Sequence, residues 1–408
     1  MDWVIVETWV EFAVRWVHVI TAIAWIGSSF YFIALDLGLR KPPTLPQGVG
    51  GEEWQVHGGG FYHIQKYMVA PQAMPEDLIW FKWESYATWL SGFALLILVY
   101  YLGAEFYLLD PEVADISVWA AVAISLGSLG FGWLAYDLIC KSRFGEDNTK
   151  LMIGLYVILV IMAWGYTQVF SGRAALLHLG AFTATIMSAN VFFVIIPNQK
   201  IVVADLKAGR TPDPKYGVIA KQRSTHNNYL TLPVIFLMLS NHYPLAFASE
   251  WNWLIASLVF LMGVTIRHFF NSLHRTKAYL WWTWGATTAL FVAIVGLSLA
   301  PLAGQDFEEE AAMSPAAQRF ATAPGFTEVS DLVQGYCSYC HMPEPGIDGL
   351  AVAPKGVRLD TDAWIAHHAR GIYLQAGVSH AMPPPYYGAL EPEDRALIVV
   401  WYREARAQ

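Results

Sequence analysis

AALLHLGAFTATIMSANVFFVII, residues 174–196, contains no Asp, Glu, Lys or Arg. About 20 apolar residues, rising ~1.5 Å each, cross a hydrocarbon core of roughly 30 Å, so this stretch reads as one membrane-spanning helix. Seven more stretches meet the same standard: residues 9–35, 83–106, 118–139, 151–170, 229–247, 251–270 and 279–302. The composition agrees. The chain is 55% hydrophobic and 14% charged, with mean hydropathy +0.38. Soluble proteins carry about 25% charged residues, so the missing charge corresponds to surface that faces lipid. A net charge of −8 and the lack of any basic tract argue against nucleic acid as a partner.

The connections set the orientation. Those after the first, third, fifth and seventh stretches hold fifteen Lys and Arg, whereas the alternate ones hold only Arg173. The positive-inside rule then puts the first set in the cytoplasm and both termini outside. The opening MDWVIVETWVEF has no basic segment ahead of its apolar run, so no removable leader is expected.

Beyond residue 302 the composition changes. Residues 303–324, AGQDFEEEAAMSPAAQRFATAP, are acidic and rich in Ala and Pro, the profile of a tether. Residues 325–408 read as a small helical unit. It contains GYCSYCHMP, residues 335–343, in which Cys337, Cys340 and His341 form C-x-x-C-H, the attachment signature of a c-type haem. Two thiols on one turn reach the two vinyl groups, and the next imidazole falls beneath the iron. A zinc ribbon needs a second Cys pair, which the chain lacks. The sixth ligand is expected downstream, where SHAMPPPYYG offers Met382, with His380 as its rival. This resembles the Met-Pro loop of class I cytochromes c, and a His/Met pair suits electron transfer. Met313 and Met342 are poorly placed, and His367 and His368 read as surface residues of a helix. The remaining cysteine, Cys140, reads as a small buried hydrophobe. The fold expected is therefore all-α: an eight-helix transmembrane bundle over 1–302, a linker over 303–324, and a class I-like cytochrome c domain over 325–408.

Ionisable residues inside spanning stretches are rare and mark function. His18 and His178 fall in the outer half of the first and fifth stretches, with His242 near the outer end of the sixth. His18 and His178 together suit the clasp of a b-type haem. The plain alternative is a histidine bonded to a neighbouring helix. Arg15 and Glu11 stand one and two turns before His18, suited to haem propionates or to each other.

A second group lies toward the cytoplasmic face. VHGGGFYHIQKY, from Val56, sets His57 and His63 around three glycines, which let a backbone approach a ligand closely. IWFKWESY surrounds Lys82 with aromatic rings. STHNNYLTLP brings His226, Asn227 and Asn228, with Arg223 just before them. His268 and His274 end the seventh stretch. Interfacial belts, helix caps and snorkelling side chains explain much of this pattern. Flat aromatic walls, amides and fixed cations would also suit a planar, polar anion.

VHGGGFYHIQKY, WFKWESYATWLSGF, IPNQK and HNNYLTLPVIFLMLSNHYP, joined to a C-terminal CSYCH unit, resemble the bacterial membrane-bound urate hydroxylases over essentially the whole chain. The resemblance implies an eight-helix urate oxidase N-terminal domain fused to cytochrome c, converting urate to 5-hydroxyisourate in purine breakdown. It implies that electrons pass to the covalent haem c, then to a periplasmic cytochrome c or terminal oxidase at the bacterial inner membrane. The site residues expected are His57 or His63 taking a proton, Arg223 or Lys82 holding the anion, and Asn227 or Asn228 pairing with the ring amides, with His226 beside them. Haem ligation falls to Cys337, Cys340, His341 and Met382, with His18 and His178 for a b haem. Two rivals stay open: a cytochrome c-linked membrane dehydrogenase for another reductant, and a non-catalytic electron-transfer anchor for a partner enzyme.

Overall fold

The computed structural model describes residues 3–69, 71, 74–299, 313–347, 352–384 and 390–407. The end of the eighth stretch (300–302), tether residues 303–312 and residues 385–388 of the Met-Pro loop lie outside the described residues.

The chain is mostly helical. α1 (Trp3–Gly38) leads into a hairpin of β1 (Val49–His57) and β2 (Gly60–Tyr67). α2 (Trp83–Leu95) runs through a π turn (Leu96–Tyr101) toward α3 (Ala104–Tyr107). Then follow α4 (Val118–Lys141), α5 (Asn148–Thr167) and α6 (Gly172–Ala189), the last continuing through a π turn (Asn190–Ile195) into α7 (Ile196–Lys207). α8 (Pro214–Ser240), α9 (Pro244–Phe247), α10 (Asn252–Thr276) and α11 (Trp282–Leu299) complete the bundle. The helices start where side chains can satisfy their free amides. Ser117, Asp147, Ser171 and Asp213 cap α4, α5, α6 and α8, and Pro214 follows its cap at the first helical position.

Among the described residues, six helices are long and apolar enough to cross a membrane: Trp3–Gly38, Val118–Lys141, Asn148–Thr167, Gly172–Lys207, Asn252–Thr276 and Trp282–Leu299. The burial pattern is inverted, as lipid demands. Trp119, Phe131 and Ile153 are 83%, 72% and 60% exposed, while Arg223, Asn190 and Asn228 are sealed inside. Two of the eight expected stretches take other forms. Residues 83–106 are α2, its π turn and the start of α3. The stretch expected at 229–247 begins at Pro214, so Arg223 and His226 belong to the bundle, not to a connection.

Close helix crossings depend on small residues. Gly263 of α10 faces Pro233 of α8, where an added Cβ would come within 2.5 Å of the proline Cδ. Pro233 sits in a ring-constrained stretch of helix and gives little. Gly263→Leu is therefore expected to cost about 1–3 kcal/mol by overpacking, read as earlier thermal unfolding in detergent.

The β-hairpin modifies the all-α expectation. Gly58 and Gly59 both have positive φ, +61° and +80°, which suits a two-residue turn of the primed type, and His57 pairs with Gly60 across it. The hairpin lies back along the end of α1: Arg40 bridges Glu52, Lys66 pairs with Asp36 at 2.6 Å, and the Tyr31 hydroxyl donates to Gln55 at 2.9 Å.

The C-terminal unit has its own core. α12 (Pro315–Ala321), α13 (Phe326–Cys337), α14 (Asp362–His367), α15 (Ala369–Ile372) and α16 (Pro392–Ala407) surround Phe320, Val333, Ile365, Tyr373 and Trp401. α12 falls within the stretch read as a tether, yet Ala317 and Phe320 are core residues. The unit sits at the end of the bundle opposite the basic connections. Val4 of α1 joins its core, Arg370 Nη2 donates to Thr8 Oγ1 at 3.1 Å, and Phe106 meets His367 at 6.1 Å. A cavity of about 1620 Å³ lies between the two parts, lined by Glu11, Tyr107, Arg173, Arg358, Trp364 and His368 among others.

His367 and His368 thus turn inward, against the expectation of a free surface, because α14 packs on the bundle. The His368 Nε2 is sealed without a hydrogen-bond partner. Burial first, then the neighbouring His367, His341 and Arg173, pushes its pKa down from 6.5 to about 3. An unfolded chain binds that proton more readily than the folded one. The stability it contributes is therefore complete above about pH 6.5 and declines as pH falls toward 3. Hydrogen exchange in α14 is expected to quicken between pH 7.5 and 4.5, after correction for the intrinsic rate.

Candidate functional site

α8 carries a run of polar residues through the bundle interior, and consecutive helix positions diverge by about 100°, so the run serves two sides. On the side of α4 and α6, Arg223 Nη2 donates to Asp137 Oδ1 at 2.8 Å and Nη1 to Asn190 Oδ1 at 3.4 Å. Asn190 Nδ2 donates to the Tyr136 hydroxyl at 3.2 Å and to Asn227 Oδ1 at 3.1 Å. Asn227 Nδ2 donates to the Met187 carbonyl at 2.9 Å, and His226 Nδ1 lies 2.7 Å from the Tyr136 hydroxyl. Asn190 opens the π turn after α6, a local widening that often marks a functional position. Arg223 lies about 14 Å into α8 from its basic end.

On the side of α10, Asn228 Oδ1 accepts from Arg267 Nε and Nη2, both at 3.3 Å, and from Asn271 Nδ2 at 2.9 Å. Arg267 Nη2 also donates to Asn271 Oδ1 at 3.0 Å. The Phe30 ring of α1 covers the guanidinium, its centroid 3.9 Å from Cζ.

Of the six catalytic candidates, the fold assembles three: Arg223, His226 and Asn227. The other three lie elsewhere. His57 is exposed at the end of β1, beside the hairpin turn. His63 stacks on Trp54 at 4.1 Å and meets Glu52 at 2.8 Å, a hydrogen bond that holds the Glu52 carboxyl below its ordinary range. Lys82 precedes α2, its Nζ 5.7 Å from the Trp83 ring. Among the described residues, no hydrogen bond or ring contact joins the hairpin or Lys82 to the buried cluster. Asp137, Tyr136, Asn190, Arg267 and Asn271 were missed. The signal for Asp137 and Arg267 was present: each is an ionisable residue within a spanning stretch.

The family described as urate oxidase N-terminal matches residues 4–298, nearly the whole bundle and both polar clusters. The chain belongs to that family. No curated protein and no solved structure matches the chain.

The urate oxidase N-terminal match ends before the C-terminal unit, whose fitness for haem c rests on its own geometry. Cys337 ends α13, and the amides of Cys340 and His341 both donate to its carbonyl, at 3.2 and 3.0 Å. One helical turn therefore presents both thiols, and both are free. Burial pushes the Cys337 thiol up to about 11. His341 Nδ1 lies 2.7 Å from the Val357 carbonyl, which only accepts, so the proton sits on Nδ1 and the Nε2 lone pair is left for a metal. Met382 is held by its backbone, its amide donating to Gln375 and its carbonyl accepting from Arg395. Cys337, Cys340 and His341 fit the group, while the Met382 side chain is exposed.

The b-haem pair is separated along the bundle. His18 and His178 each place Nδ1 against a carbonyl, Thr88 at 3.0 Å and Ala174 at 2.8 Å, and the His178 Nε2 is buried without a hydrogen-bond partner among the described residues. His18 also reaches Ser91 and lies against Gly92 on α2, nearer the outer end than Trp89, which pairs with Thr185. His178 stands seven residues from Thr185 along α6, among Tyr100, Tyr166 and Phe170, which leaves an offset of roughly 6–8 Å between the two histidines.

Proposed function

We propose that this chain is a membrane-bound urate hydroxylase, oxidising urate to 5-hydroxyisourate. The observation that carries the reading is the family match over residues 4–298, combined with a buried cluster of cations, amides and a Tyr–His pair inside that region. Urate is a planar, electron-rich monoanion rich in carbonyl groups and ring N–H. Asn227 Nδ2 has one N–H beyond its bond to the Met187 carbonyl for such an edge, and Asn190 holds it in place. The Tyr136 hydroxyl and His226 Nδ1 share a proton at 2.7 Å, so the pair can take or return one as water adds at C5. His226 thus replaces His57 and His63 in the role of proton acceptor. With water as the hydroxyl source, the reaction releases two electrons and two protons.

The bundle is read as eight spans, counting α2 through α3 and α8 with the six apolar helices, with the basic end in the cytoplasm. The outer unit, residues 325–408 with α12 leading into it, is read as periplasmic. A haem c held there by Cys337, Cys340, His341 and Met382 would supply a one-electron carrier. A periplasmic cytochrome c or terminal oxidase would be the onward acceptor.

The test uses the purified full chain without oxygen. Urate is expected to bring up the reduced haem c absorption bands and to yield one 5-hydroxyisourate for every two haems reduced, without hydrogen peroxide. Stoichiometric peroxide in air with no haem reduction would reject the outward electron route, and no urate turnover at all would reject the substrate.

A further inference from the structure

Arg223, with Lys82 one of the two cations expected to hold the anion, already has a carboxylate partner, although its Nε is buried without a hydrogen bond among the described residues. Asp137 lies on its Nη2, and the same carboxylate takes Lys141 Nζ at 2.6 Å through its other oxygen. Arg267 differs. It is 6% exposed, within a spanning helix, and makes no ion pair among the described residues. A guanidinium stays protonated, and burying one with no counter-charge is costly. Its neighbours do not help with charge: Asn228 and Asn271 supply only amide oxygens, and Phe30 supplies a ring face.

Hydrogen bonding points the same way. Arg267 has five N–H groups and the two asparagines have four more, set against two side-chain oxygens. All the oxygens in the cluster are in use. Among the described residues, the hydrogen bonds of Arg267 run through Nε and Nη2 alone, and Asn228 Nδ2 is fully buried without a partner. The cluster is therefore positively charged and has donors left over. What completes it is a flat acceptor carrying negative charge.

We infer that Arg267 and Asn228 form the recognition site for the substrate's anionic edge, and that Arg223 with Asp137 is a structural clamp that holds α8 to α4. The inference rests on the urate reading and names the residues that select the anion. The planar guanidinium matches a ring carbonyl and an adjacent deprotonated nitrogen with paired bonds, as a lysine ammonium cannot. Asn228 Nδ2 supplies a further donor beside it. Phe30 fixes the guanidinium plane, so the bound ring is oriented as well as held.

Equilibrium binding of radiolabelled urate to the purified full chain tests this, with neutral hypoxanthine as the comparison ligand. Arg267→Gln is expected to weaken urate binding about 10- to 100-fold, while hypoxanthine binding changes by less than about threefold. Arg267→Lys should recover part of the loss. Asn228→Asp, equal in volume, puts a carboxylate against Arg267 and should also weaken urate selectively, so it decides the matter if Arg267→Gln does not assemble. Parent-like urate affinity in Arg267→Gln or Asn228→Asp overturns the inference and leaves the urate reading standing. Failure of the parent chain to bind urate overturns the urate reading, and the anchor with it.

Discussion

Asp137→Asn is expected to destabilise the bundle by about 3–5 kcal/mol, because it strips a buried guanidinium of its counter-ion. Arg223 and Asp137 are both nearly inaccessible, and the 2.8 Å bond between them is the ion pair closest to the centre of α8. An asparagine keeps the shape and one acceptor but removes the charge, so Arg223 would be left paired only with Asn190 and the face of Tyr136. Native proteins keep a margin of roughly 5–15 kcal/mol, so the change takes a large part of it. Thermal unfolding in detergent measures the loss. The double variant Asp137→Asn with Arg223→Met separates charge from packing. Removing both members of a buried pair is often neutral, so stability should return toward that of the parent. A double variant no more stable than the single one would show that the pair acts through its hydrogen-bond network, not its charge.

The spans were legible because lipid imposes length and apolarity on every one of them, and six of the eight stretches recur as long apolar helices. The C-x-x-C-H turn was legible because its chemistry is local. What escaped the sequence depended on partners far along the chain. α8 was read as starting at Tyr229 because its first half is polar, yet its Arg223 and His226 are buried against α4, which satisfies them from positions 86 and 90 residues away. Three glycines between histidines suggested a binding loop. They form a hairpin turn instead, because alternating side chains on either side of Gly58 and Gly59 pair with each other before they can meet a ligand. Arg267 lies three residues from the inner end of the stretch 251–270, where a snorkelling cation is ordinary, and only its contacts with Asn228 and Asn271 show that it turns into the bundle. Levels along helices were also beyond reach: His18 and His178 both fall in outer halves by counting, but only the Trp89–Thr185 contact reveals the offset between them.

Replacing both Cys337 and Cys340 with serine is expected to abolish covalent haem on the chain and, with it, all urate-driven absorbance change in the haem bands. Attachment needs two thiols on one turn, and the Cys337 carbonyl sets that turn by accepting both the Cys340 and the His341 amides. Serine keeps the turn, so α13 and its core residues Val329 and Val333 should remain folded. His341→Ala differs in kind: the thioethers can still form, but the imidazole oriented by the Val357 carbonyl is gone. That variant should keep haem staining after denaturing electrophoresis while losing the spectrum of a six-coordinate centre. Cys140→Ser, at the far end of α4, should change neither readout. Because the buried clusters on α8 lie in the bundle and not in the outer unit, urate binding by the double serine variant should stay within about twofold of the parent, as expected for separated, independent sites. Loss of binding together with loss of haem would instead tie the urate site to the outer unit and the cavity beneath it.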